Sequence, residues 1–348
     1  MNTYMAGTPG VFEREILHCA PFLKNRLVSF WDIKNNAFSV RESFFYYSTH
    51  MKNKVKLFLD SGAFSAWSQG EEIDIQEYIK FIKEHKDSIE IYANLDVIGD
   101  PEGTWRNQVI MEKAGLSPLP VFHYGEDIKW LKRILSKGYE YMSLGGMVPI
   151  SNKDLLPWLD MLWSQYLTDE KGFPICKVHG FGLTSLHLML RYPWYSVDST
   201  TWVVTARMGS IFVPRFKNGE AIYDENCWTI AVSNKSPNMK EQGQHFETLP
   251  ESSKKLILNY LEQKGYKYGK SEWKMESQEY ELQPNEKWGE KKPKNKSDKR
   301  SVEIIIEEGV CNKYQLRDEV NIHYFQDLEK TIQKWPWKFQ LSIPKSLF

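Results

Sequence analysis

Three aspartates in this 348-residue sequence have surroundings suited to chemistry: Asp60 in LFLDSGAFSAW, Asp96 in YANLDVIGD and Asp198 in YSVDSTTW. Each sits at or just past the end of a short apolar run. Carboxylates that meet across a sugar are the tools of retaining glycosyl chemistry. One is the nucleophile at the anomeric carbon, and the other serves as acid and then base at the leaving group. Groups that could bind a flat heterocycle stand nearby in the same pattern. Phe64, four residues after Asp60, could stack on a ring. The Gly145-Gly146 pair offers backbone N–H groups that a ring can approach because no Cβ intervenes. Taken singly, each signal has a structural alternative. An Asp after a strand is about as often a helix N-cap, and a Gly-Gly pair is more often a tight turn.

The elements that must position these residues repeat one phrase. Apolar runs at Val55–Leu59, Ile89–Leu95, Leu119–Phe122, Tyr141–Leu144, Cys176–Val178 and Tyr195–Val197 have the length and composition of buried strands. Amphipathic stretches lie between them, such as Ile75–His85, Trp105–Ala114, Asp127–Lys137 and Asp154–Tyr166. This alternation predicts βαβ units and a parallel sheet. Asp60, Asn94, Asp96, His123, Gly145, Gly146, His179 and Asp198 all follow the carboxyl ends of runs. A doubly wound sheet gathers ligands near one switch point, whereas a barrel recruits every strand end. The predicted fold class is therefore α/β, a (β/α)8 TIM-like barrel with irregular insertions and a small C-terminal α/β extension. The stretch from Asn2 to His50 gives no clear element boundaries.

The barrel is expected over 1–230, with 231–270 as an alternative completion. Ser210–Phe216 and Glu220–Asp224 flank Lys217-Asn218-Gly219, the pattern of a β-hairpin, and Glu251–Lys264 reads as a helix. Residues 251–300 hold thirteen basic and nine acidic residues, and 271–300 reads as a flexible basic loop or linker. A C-terminal extension, 301–348, contains helical spacing over Asn321–Trp335.

Forty-five basic residues balance forty-five acidic ones, so bulk charge does not signal a nucleic-acid binder and any phosphate contact must come from a local patch. No apolar run approaches the roughly 20 residues that span a bilayer, and no secretory signal is read in Met1–Glu13. The four cysteines are scattered with no CxxC pair, as in reduced intracellular proteins. A cytoplasmic enzyme without membrane contact is expected.

In order and approximate spacing, DSGAF (60–64), NLDV (94–97), LGGMVP (144–149), HGFG (179–182) and VDSTTWVVTARMG (197–209) resemble the tRNA-guanine transglycosylases, most of all the archaeosine-type branch. The resemblance covers Val55 to Phe216. It implies that Asp198 is the nucleophile at C1′ and that Asp60 is the acid/base at N9. Asp96 would accept from N1–H and the 2-amino group of guanine, with Asn94 beside it. Phe64 would be one wall of the base sandwich, and Gly145, Gly146 and Met147 its floor. Arg207 would lie near the nucleic-acid backbone. His123, or Tyr124 beside it, stands where the family has a Gln contacting the O6 edge.

The departures are specific. Ser65 replaces the Gln of the family's DSGSFQ phrase, and the family's zinc motif is missing, so no metal and no cofactor is expected. The lone Cys176-x2-His179 pair is more often coincidence than a ligand set. A short chain without the tRNA-specific additions is most similar to the 7-deazaguanine DNA transglycosylases, including those of phages, which would place it in the host cytoplasm. The resemblance then implies DNA as polymer, with tRNA the alternative. It also implies a deazapurine such as 7-cyano-7-deazaguanine as the small-molecule partner, and it allows a homodimer. Two rival readings are a metal-dependent barrel hydrolase built on His123, His179 and Asp198, and a non-catalytic binding subunit.

Overall fold

The computed structural model describes residues 1–8, 19, 21–35, 38–183, 185–224, 227–236, 242–289 and 298–340. Backbone contacts divide the chain into two units, Met1–Thr201 with Gln326–Phe348, and Trp202–Phe325.

The first unit is an eight-stranded, all-parallel sheet. Its strands are β1 (Asn2–Met5), β2 (Asn25–Ser29), β3 (Lys56–Asp60), β4 (Ile89–Tyr92), β5 (Val121–His123), β6 (Tyr141–Gly145), β7 (Lys177–Gly180) and β8 (Ser196–Ser199). Their order is β4-β3-β2-β1-β8-β7-β6-β5, so the chain's first strand lies between its second and its eighth. The two edge strands, β4 and β5, meet just outside their ends through one parallel bridge, Ala93 to Leu119. Asn94 N–H donates to the Leu119 carbonyl at 3.0 Å, and Leu119 N–H donates to that of Tyr92 at 2.9 Å. The arrangement fits a TIM-like barrel, but one bridge stands where a full ladder would be, and the barrel is not closed.

Helices alternate with the strands: α1 (Phe30–Asn35), α2 (Phe38–Thr49), α3 (Ala63–Ser68), α4 (Ile75–His85), α5 (Pro101–Lys113), α6 (Ile128–Ser136), α7 (Asn152–Gln165), α8 (Leu186–Arg191) and α9 (Thr201–Arg207). Local chemistry sets their starts. Asp74, Asp100, Asp127 and Ser151 each accept backbone N–H bonds at the first turns of α4, α5, α6 and α7, satisfying donors that the helix itself cannot. The buried faces follow the helical period, as with Tyr78, Ile79 and Ile82 in α4 and Leu131 and Ile134 in α6. Tyr4, Leu27, Phe58, Ala93 and Leu119 pack together inside the sheet.

In the second unit β9 (Ser210–Val213) pairs antiparallel with β12 (Trp228–Ala231), and β10 (Arg215–Lys217) with β11 (Glu220–Ile222). The hairpin turn falls on Asn218 (φ 53°) and Gly219 (φ 84°), both left-handed as a two-residue primed turn requires. The expected hairpin is therefore present in its short form, but Ser210–Val213 takes a different partner. Helix α10 (Glu251–Gln263) precedes a three-stranded antiparallel sheet of β13 (Lys270–Glu276), β15 (Arg300–Glu307) and β14 (Glu286–Trp288), and α11 (Tyr314–Thr331) begins in this unit. At the sheet's centre Glu303 is fully buried. Its Oε1 accepts from Ser271 Oγ at 2.7 Å and Asn234 Nδ2 at 3.2 Å, and its Oε2 lies 3.4 Å from Lys287 Nζ.

The expected linker at 271–300 is thus corrected. Its charges alternate along β13 and β14, where they pair across strands instead of repelling: Lys274 bridges to Glu276 at 3.4 Å and to Glu286 at 2.8 Å. Residues 290–297 lie outside the described residues. The barrel unit ends at Thr201, not at 230, and takes up the chain again from Gln326, so 301–348 is not a separate extension. Among the described residues no helix is long and apolar enough to cross a membrane.

Amides held by little cooperative structure exchange first. The Asn94 and Leu119 amides should therefore exchange with deuterium faster than those of the β1–β8 ladder, which is held over four register pairs. Equal protection by exchange mass spectrometry or NMR would show a tighter β4–β5 seam than one bridge provides.

Candidate active site

A cleft of about 680 Å³ opens at the carboxyl ends of the barrel strands. It is lined by Asp60, Phe64, Asp96, His123, Gly145, Gly146, Met147 and Asp198, eight of the ten residues singled out in the sequence.

Asp60 closes β3 and the chain turns at once into α3. The turn needs a glycine. Gly62 has φ 77°, and a Cβ there would lie 2.4 Å from Ser29 Oγ and 2.5 Å from Trp31 Cβ. Its N–H donates to Asp60 Oδ2 at 3.1 Å. Burial, together with the charges of Asp96 and Asp198, pushes the Asp60 carboxyl up to about 7, against the opposing bonds from Gly62 and Ser61. A carboxyl there gives and takes a proton near neutrality.

Asp96, just beyond β4, is fixed by His123 at the end of β5. His123 Nε2 lies 3.1 Å from Asp96 Oδ2 and its Nδ1 3.1 Å from Glu126 Oε1, while Glu126 Oε2 accepts the His123 backbone N–H at 3.0 Å. Burial opposes a charge on the ring, but the Asp96 and Glu126 carboxylates outweigh it and push His123 up to about 10. The ring is an imidazolium at neutral pH, with both N–H groups committed to carboxylates. Asp96 Oδ1 is buried with no hydrogen-bond partner among the described residues.

Asp198 lies on β8 with its side chain 9% exposed. Its Oδ1 accepts from the Gly182 N–H at 2.8 Å and faces His179 Nε2 at 3.3 Å. Phe64 is 57% exposed at the start of α3, with the equally exposed Trp67 ring 5.9 Å away. Gly146 is left-handed at φ 67°, and Gly145 has no room for a side chain, because a Cβ would stand 2.8 Å from His123 Cδ2.

Two sequence-predicted residues lie elsewhere. Asn94 does not line the cleft. It is buried, and its Nδ2 donates to the Thr104 carbonyl at 2.8 Å, tying the loop after β4 to α5. Arg207 belongs to the second unit, exposed at the end of α9. His123 lines the cleft but has no N–H left for the O6 edge of a base. Its role is corrected to that of clamp on Asp96. Sequence reasoning missed Glu126, although a His and a carboxylate three apart in HYGE are within one turn's reach. It also missed Trp67. Tyr124 lines the cleft too. Among the described residues no three His, Cys, Asp or Glu side chains are grouped to hold a metal ion.

The cleft can therefore present one carboxyl that exchanges protons, one carboxylate held on a single oxygen and one with a buried vacant acceptor. Two outcomes test this electrostatic account. Because Asp60 in the folded chain holds its proton to about 7, well above the ordinary 3.8, its contribution to stability is present below that ordinary value and is lost as pH rises to 7. Asp60→Asn should then raise the melting temperature relative to wild type at pH 8 but not at pH 4, and a pH-independent difference would contradict it. Gly145→Ala should force the His123 ring off Asp96. NMR titration should show the His123 pKa falling from about 10 toward its usual value, and an unchanged titration would mean the close packing is not what seats the ring.

No family model, curated protein or solved structure matches the chain.

Proposed function

We propose that this chain is a base-exchanging transglycosylase that replaces guanine in DNA with a 7-deazaguanine, such as 7-cyano-7-deazaguanine, through a covalent glycosyl-aspartate. The observation that carries the reading is the meeting of Asp60, Asp96 and Asp198, far apart in sequence, around one cleft that also holds Phe64 and the Gly145-Gly146 turn.

In this mechanism an Asp198 carboxylate oxygen attacks C1′. The C1′–N9 bond breaks with its electron pair going to N9, and Asp60 delivers its proton there as guanine leaves. The incoming deazapurine then loses its N9 proton to the Asp60 carboxylate, and N9 attacks C1′ to expel Asp198. One N-glycoside replaces another, so the exchange needs no energy source. The pKa of Asp60 near 7 suits a group that acts as acid in one half-reaction and as base in the other. Asp96 Oδ1, a buried acceptor without a partner, suits the adjacent N1–H and 2-amino donors of a guanine-type ring. The His123 imidazolium keeps Asp96 ionised for that task. Phe64 supplies a stacking face, and the target nucleotide must leave its helix for a cost of a few kcal/mol.

DNA is preferred over tRNA on the sequence departures described above. Labelled-guanine exchange on DNA and on tRNA, with nucleoside mass spectrometry, decides between them. Asp198→Ala should abolish exchange and leave polymer binding intact. A variant that exchanges guanine at near wild-type rate would remove Asp198 from the mechanism, and incorporation into tRNA alone would reassign the polymer.

A further inference from the structure

The mechanism uses Asp198 but gives no role to the polar chain that runs from it into the barrel. Ser196 and Asp198 lie two apart on β8 and so face the same way, and His179 on β7 is the register partner of Ser196. His179 Nδ1 lies 2.6 Å from Ser196 Oγ, and the Tyr141 hydroxyl of β6 bonds to the same oxygen. The His179 ring is completely buried, with Phe181 and Phe58 packed against it at centroid distances of 4.6 and 4.7 Å.

The donors can be assigned in only one consistent order. An ionised Asp198 accepts only, so Nε2 must carry the hydrogen toward it. Burial pushes the His179 pKa down, so the ring is neutral and Nδ1 is an acceptor. Ser196 must then donate to Nδ1 and accept from Tyr141, whose phenol is held protonated by burial.

We propose that His179 is a positioning residue for Asp198. Its Nε2–H and the Gly182 amide hold Oδ1, the other oxygen is left for attack at C1′, and Ser196 and Tyr141 fix the tautomer that makes this possible. The role of Asp198 as nucleophile rests on the function proposed above; the hold that His179 has on it does not.

The test has two arms, both on the full chain. In the first, ¹⁵N NMR of histidine-labelled protein should show His179 as the neutral Nε2–H tautomer across roughly pH 5.5–8, the range in which an ordinary histidine titrates. Ser196→Ala or Tyr141→Phe should perturb that tautomer. A wild-type Nδ1–H form, or a cationic ring at pH 7, overturns the proposal whether or not the chain exchanges bases.

In the second arm, His179→Leu should lower kcat by about a hundredfold with KM little changed, as expected for a misplaced reacting group. His179→Gln, which restores an N–H at the same reach, should recover most of it. Tyr141→Phe, a minimal change at a residue outside the cleft lining, should lower kcat severalfold. Equal losses in Leu and Gln, or a change confined to KM, would overturn the proposal. If the wild-type chain exchanges no base on any polymer, the proposed function fails while the first arm still decides the role of His179.

Discussion

Carboxylates crowded into a partly dry cleft repel one another, and the architecture of this site follows from how that repulsion is relieved. Asp60, Asp96 and Asp198 cannot all stay fully charged at low cost in so small a volume. Each is treated differently. Asp60 keeps its proton to about neutrality. Asp96 is matched by an imidazolium that a second carboxylate, Glu126, helps to keep charged. Asp198 is given a backbone amide and a neutral imidazole. Three residues of one chemical type thereby acquire three different proton affinities and geometries, which is how one cleft can contain an acid, an acceptor and a nucleophile together.

The parallel sheet makes this possible by bringing strand ends together, but the fine placement comes from positions with no side chain. Gly62 lets the chain turn under Asp60 and supplies an N–H to it. Gly145 leaves the volume that the His123 ring fills. Other aspartates in equivalent sequence settings do structural work instead: Asp74, Asp100 and Asp127 cap helices on the strand-to-helix connections. The difference between the two groups is distance from the strand. Asp60 and Asp198 lie within strands, whereas the capping residues come after a loop, where the first free N–H groups of a helix are the nearest donors.

That distinction explains what could be read from the residues and what could not. All six apolar runs became strands because a buried parallel strand needs a continuous apolar segment, and α4 matched its amphipathic stretch residue for residue. The strand β1 was not legible because NTYM is too short and too polar at its start to stand out. Asn94 resembled a ligand-binding residue because sequence shows proximity to a strand end but not the side chain's direction, which here is toward the Thr104 carbonyl. His123 was legible as a site residue but not in its role, since its two carboxylate partners come from different loops. The basic stretch after 270 read as a linker because its hydrophobic period is weak. Its strands are held by cross-strand charge pairs and by the buried Glu303, neither of which leaves a period-two apolar pattern.

The place of β1 between β2 and β8 has a kinetic corollary. Its pairing with β8 joins residues nearly two hundred positions apart, over the register Asn2 to Ser196 through Met5 to Ser199, while its ladder to β2 is a single register pair. Long-range pairings of this kind form late, because the loop entropy of the intervening chain is lost before any contact compensates. During synthesis the amino-terminal strand must therefore wait for Asp198 to emerge, and the nucleophile and its neighbouring strand fall into place in the same closing event.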